Sequence, residues 1–157
     1  TVTVSAMLLP KDFGISKGNT LDLHIKDLEQ TPEVFASVRQ FCTKHGASDN
    51  SAFSVALCAE ELAANSIMQG FKDRKRDQVD VRLVVDDDHL IMRIRDNCPA
   101  FDPEKFFNEL YGKDDPTHSL GIKIVFALVD DIKYVPLMHM NNLIGTVPLS
   151  ALRQDCA

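Results

Sequence analysis

No apolar run in this chain approaches the ~20 residues that a membrane-spanning helix requires, and no leader-peptide pattern opens it. Positive charge is also short. The 17 Lys and Arg stand against 23 Asp and Glu, for a formal net charge of −6. That balance gives no footing for a surface that binds a phosphate backbone, so nucleic acid is excluded as an expected partner. The four cysteines (Cys42, Cys58, Cys98, Cys156) include no C-x-x-C pair and no histidine at zinc-ligand spacing. They read as reduced thiols, which excludes a disulfide framework or a zinc site and makes the cytoplasm the expected setting. Internal repeats and low-complexity tracts are absent too.

What remains is ordinary for a globular domain: 45% apolar and 25% charged residues in a chain of 157, enough for one two-layer core. The chain starts with Thr1, as a domain cut from a longer protein would. Residues 1–19, with Pro10, Gly14 and Gly18, read as a lead-in or linker. Residues 20–150 form the expected domain and 151–157 a tail.

The stretch 53–71 organises the rest. It is rich in Ala and Leu, lacks Pro, can be opened by Asp49 or Ser51 as N-cap, and is stopped by Gly70, so a helix is expected. Phe53, Leu57, Glu61 and Asn65 lie four apart and form one line along it. The line begins apolar and ends in a carboxylate and an amide. Two readings stand. Either the line drifts into solvent after Leu57, or Glu61 and Asn65 present oxygens to one spot suited to Mg²⁺ with bound phosphates or to an attacking hydroxyl.

Ahead of this helix, Leu21, Leu23 and Ile25 alternate with polar residues as in a half-buried strand, with His24 on the solvated side. Thr31-Pro32-Glu33 opens a helix with a capping Thr, and His45-Gly46 closes it. Behind it, Val79, Val81, Leu83 and Val85 share a face with Leu90, Met92 and Ile94 in a hairpin turned by Asp86-Asp87-Asp88. The same period of two turns Asp96 toward the core. A charged segment follows to Pro116, then an apolar helix over 122–128 and two strands, about 132–135 and 143–149, with Asn141-Asn142 as the turn. This order implies a two-layer α/β (α+β) sandwich: a mixed, mostly antiparallel sheet with helices on one face.

These residues carry a family likeness over roughly 21–149. The chain resembles the Bergerat-fold (GHKL) ATPases, the superfamily of gyrase, the heat-shock chaperone, histidine kinases and mismatch repair. Within it the chain is similar to the bacterial anti-sigma-factor serine kinases. Glu61-Leu62-Ala63-Ala64-Asn65 matches the first box, and the resemblance implies that Asn65 ligates Mg²⁺ and that Glu61 is the general base. Asp96-Asn97-Cys98-Pro99-Ala100 matches the second box, whose Asp accepts a hydrogen bond from the adenine amino group. Ser119, Leu120, Gly121 and Ile122 stand at the third, where backbone N–H groups at a helix start would cradle phosphates. Gly145-Thr146 resembles the pair whose hydroxyl also reaches adenine. The chain departs from the pattern at Cys98, where the second box has Gly, and at Thr117 and Ser119, where the third usually has Gly.

Three functional readings follow, all with ATP and Mg²⁺ as cofactors. The first is a protein serine kinase acting on a small regulatory partner, anti-anti-sigma-like or sigma-like, with a homodimer possible and Lys105 and Lys113 as candidate phosphate contacts. The second is a non-catalytic nucleotide-binding or partner-sequestering module of a larger protein. The third is a fragment of a sensor histidine kinase.

Overall fold

A strand turns successive side chains to opposite faces, so residues two apart share a face. The computed structural model describes residues 18–70, 77–99, 131–137 and 139–154, and its strands obey this rule. In chain order the elements are β1 (Thr20–Ile25), α1 (Thr31–Lys44), α2 (Asp49–Asn65), β2 (Val79–Val85), β3 (His89–Asp96), β4 (Asp131–Leu137), β5 (Met140–Pro148) and the short α3 (Leu149–Leu152). The strands form one sheet in the order β1-β2-β3-β5-β4, with every neighbouring pair antiparallel. This is an α+β fold, and the expected strands at 79–85 and 90–96 are there.

On the inner face, Ile25, Val79, Val81, Leu83, Leu90, Met92, Ile94 and Val147 meet Val34, Val38 and Phe41 of α1 and Val55, Ala59 and Leu62 of α2 in one core. Each large apolar side chain buried there contributes about 1.5–3 kcal/mol relative to exposure. Four of the five alanines of α2 (Ala52, Ala56, Ala59, Ala63) are fully buried. Their small size lets the helix lie close to its neighbours.

The other face of the sheet carries charge in cross-strand rows. Asp22 on β1 accepts from Arg82 on β2 at 2.6 Å and 3.3 Å. In the next row Asp80 accepts from Arg95 at 3.0 Å and 2.6 Å and pairs with His24. His24 is exposed, as its place in the alternation implies, but it is also a hydrogen-bond partner of a buried carboxylate. Arg93, 1% exposed, lies between Arg82 and Ile144 in register. Burial, with Arg95 and Arg82 nearby, pushes its guanidinium down to about 10, which leaves it charged at neutral pH.

Several local expectations need correction. The N-cap of α2 is Ser48, whose hydroxyl accepts from the Ser51 N–H at 3.2 Å. Thr31 does not cap α1. A 3₁₀ turn (Leu28–Gln30) capped by Asp27 runs directly into the helix, and the Thr31 hydroxyl donates back to the Leu28 carbonyl at 3.0 Å. The helix 53–71 changes hydrogen-bond register after Asn65 and continues as a π-turn, Ser66–Gly70. Asn141 and Asn142 are not a turn. Both lie inside β5, 4% and 2% exposed, paired with β3 on one side and β4 on the other. The chain reverses between Leu137 and Met140, where His139 takes a φ of 62°.

Candidate functional site

The line Phe53, Leu57, Glu61, Asn65 runs along the flank of α2 rather than its core face. Phe53 is its most exposed member, at 46%, and packs edge-on against Phe35 of α1 with ring centroids 5.4 Å apart. Leu57, Glu61 and Asn65 are half-buried. The exposed end of the line is therefore Phe53, and it does not drift into solvent after Leu57. The negative charge of Glu61 is felt next door: burial and then Glu61 raise the Glu60 carboxyl and the Cys58 thiol above their ordinary ranges.

Where α2 passes into the π-turn, its end meets the end of β3. Asp96 is 6% exposed and sits on the inner face opposite Asn141 of β5. Its Oδ1 accepts from the Cys98 N–H at 3.1 Å and from the Asn141 side-chain amide at 2.9 Å. Its Oδ2 accepts from the Ser66 hydroxyl at 3.0 Å. The change of helical register after Asn65 sets Ser66 within reach of Asp96, an example of a π segment at a site of interest. A buried carboxylate is costly without such partners.

The orientation of the Asn141 amide follows from its surroundings. On one side lie only acceptors: Asp96 Oδ1 and, at 2.9 Å and 3.4 Å, the carbonyls of Cys98 and Pro99. On the other the Tyr134 hydroxyl donates to Asn141 Oδ1 at 2.5 Å. Nitrogen must face the first group and oxygen the second. Tyr134 belongs to β4, so four segments converge: the π-turn, the end of β3, β5 and β4.

Cys98, at the glycine position of the second box, is buried and turns its sulfur toward the Ser66 carbonyl, 4.0 Å away. Burial, then the charge and hydrogen bonding of Asp96 and the charge of Asp77, push its thiol up to about 12. Just upstream, the Asn97 side chain accepts from the Gln78 N–H at 3.0 Å and ties the strand end to the start of β2.

The structure thus brings Asp96 and Cys98 together beside the C-terminal end of α2, which carries Glu61 and Asn65. Thr146 is elsewhere: it faces Ile91 and Asp131 in register, on the opposite face of the sheet from Asp96. Ala100, Ser119, Leu120, Gly121 and Ile122 lie outside the described residues, as do Lys105 and Lys113. Ser66, Asn141 and Tyr134 were not expected here. Counting two-residue steps back along β5 from Val147, which faces Leu90, would have brought Asn141 opposite Asp96.

The donor set has a definite capacity. A carboxylate offers about four lone-pair positions. Among the described residues Oδ1 receives two donors and Oδ2 one, and the Cys98 thiol also hydrogen-bonds this carboxylate. A carboxylate held in this way is an acceptor for N–H groups, the exocyclic amino group of a base among them. Asn65 offers a neutral amide oxygen, the hard donor type that Mg²⁺ accepts alongside phosphates and water. Among the described residues no cluster of three or more His, Cys, Asp or Glu is placed to cage a metal. No helix among them is long and apolar enough to cross a membrane.

A family model described as a histidine kinase-like ATPase domain matches residues 25–142, a span that includes Glu61, Asn65, Asp96 and Asn141. No curated protein matches the chain.

Proposed function

Because the chain belongs to the histidine kinase-like ATPase domain family, we propose that it binds adenine nucleotide with Mg²⁺ and acts as a protein serine kinase on a small regulatory partner. Family membership supports nucleotide binding. The observation that carries the site assignment is the buried Asp96 carboxylate, held by donors from the π-turn, β5 and the segment after β3. Bound Mg²⁺ would supply charge neutralisation at the phosphates, and Asn65 is the residue assigned to hold it. Glu61, one turn earlier on the same flank of α2, is assigned to take the proton of the incoming serine hydroxyl. The role of residues 119–122 at the phosphates rests on the resemblance described above. The partner is of the anti-anti-sigma or sigma-like kind, again by resemblance.

Titration of the purified chain with ATP, with and without Mg²⁺, tests the binding half. Incubation with labelled ATP and candidate partners tests the transfer half. Glu61→Gln should bind ATP like the wild type and lose roughly 10²–10⁴ in transfer rate. Asn65→Ala should lose the Mg²⁺ dependence of binding. A wild type that binds Mg·ATP and transfers to no partner would replace the kinase with a nucleotide-binding, partner-sequestering module. A Glu61→Gln variant as active as wild type would remove Glu61 from the role of base.

A further inference from the structure

We propose that the groove between α1 and the start of α2, beside the Phe35–Phe53 pair, docks an acidic amphipathic helix of a partner protein. Phe35, Arg39 and Thr43 are spaced four apart and form one ridge of α1, with Ala36, Gln40 and Lys44 as the next. Together with Asp49 of α2 they line a hollow of about 670 Å³. Phe53 of α2 stands edge-on against Phe35, is 46% exposed, and takes no place in the core. It is the one aromatic among the large apolar side chains exposed in the described residues. A lone exposed apolar residue is ordinary, but a paired ring beside a helix-lined hollow offers an anchor site.

Charge names the occupant. The chain as a whole carries −6 and repels acidic partners at range. Here Arg39 and Lys44 are both exposed, and among the described residues neither is held in an ion pair. Asp49 is the one carboxylate among the described lining residues. It lies in the first turn of α2, where the helix dipole favours a negative charge. Carboxylates on an incoming segment therefore meet two cations, while its apolar edge covers Phe35 and Phe53. The wall is a helix face whose polar side chains are all exposed, which suits a second helix over a small molecule. Phe53 also begins the line that ends in Glu61 and Asn65, and Glu61 lies about 12 Å further along the axis. About four extended residues span that distance, so a serine just beyond the docked helix reaches the proposed base. That link to transfer rests on the kinase reading above, whereas docking itself does not.

The test uses two fluorescein-labelled helical peptides with leucines at four-residue spacing, one carrying glutamate and the other lysine at its charged positions. Fluorescence anisotropy without nucleotide should show the purified chain binding the glutamate peptide more tightly than the lysine one. Phe53→Ala should weaken the glutamate peptide about tenfold. Arg39→Glu should weaken it too and flatten its dependence on salt. Both variants should stay folded in thermal melts and bind ATP as wild type does, since both side chains are exposed and neither contacts Asp96. Failure to bind the glutamate peptide, equal affinity for the two peptides, or unchanged affinity in either variant overturns the proposal. If Phe53→Ala does not fold, Arg39→Glu alone decides. A wild type that sediments as a dimer broken by Phe53→Ala gives the groove to a second copy, which overturns the proposal as well. A chain that docks the glutamate peptide but binds no ATP defeats the nucleotide-binding reading and leaves the docking surface standing.

Discussion

An asparagine at position 96 can keep its Oδ1 toward the Cys98 N–H and the Asn141 amide. Its new NH₂ then donates to the Ser66 oxygen, because a hydroxyl rotates to accept. That amide nitrogen replaces an acceptor with a donor, and an adenine amino group is also a donor. Asp96→Asn should thus melt close to wild type and bind ATP about 10- to 100-fold more weakly, measured by calorimetry beside thermal melts. A different outcome is expected at Cys98. Its thiol is buried and pushed up to about 12, so little thiolate exists at neutral pH. Peptide mass spectrometry should find Cys98 alkylated far more slowly than a free thiol at pH 7.5; rapid labelling would contradict the burial. Asp96 was legible in the sequence because a charge on the apolar phase of a strand breaks its alternation. Asn141 was not, since asparagine is a common turn residue, and only the register with β3 shows its amide spent on Asp96.

At the scale of elements, the four consecutive residues Ser48, Asp49, Asn50 and Ser51 are all good N-caps, so residue type alone cannot choose among them. Ser48 is chosen by geometry. Its backbone is extended (φ −62°, ψ 157°) while its hydroxyl accepts from Ser51 N–H and donates to the Gln154 carbonyl at 3.3 Å. Ser48→Ala should cost about 1 kcal/mol of stability in urea unfolding. The same change at Ser51, whose hydroxyl has no hydrogen-bond partner among the described residues, should cost less. Strand positions were readable because period-two alternation is a long signal. The π-turn after Asn65 has no comparable signature, since the apolar pattern continues through Ile67 and only the backbone register changes.

For the molecule as a whole, the charged face of the sheet sets an acid limit. Burial alone would raise the Asp80 carboxyl, but hydrogen bonds and charge from Arg95 and His24 outweigh it and hold the group below its ordinary range. A carboxyl more acidic in the folded chain than in the unfolded one adds stability above its unfolded pKa of about 4. It loses that contribution as pH falls through the folded value. Wild type should therefore lose more unfolding free energy than Asp80→Asn on going from pH 7 to below about pH 4. At pH 7 the variant should be the less stable of the two by about 2 kcal/mol, both read from urea unfolding. The two-layer arrangement was legible in the sequence. That polar alternates such as Asp22, His24, Asp80, Arg82 and Arg95 pair across strands was not, because pairing depends on register. The same rows also act as a parity check on assembly. A slip of one residue in β1, β2 or β3 would carry carboxylates and guanidinium groups beneath the helices and turn valines and leucines outward. Each strand thus carries in its own side chains the test that rejects its wrong alignments.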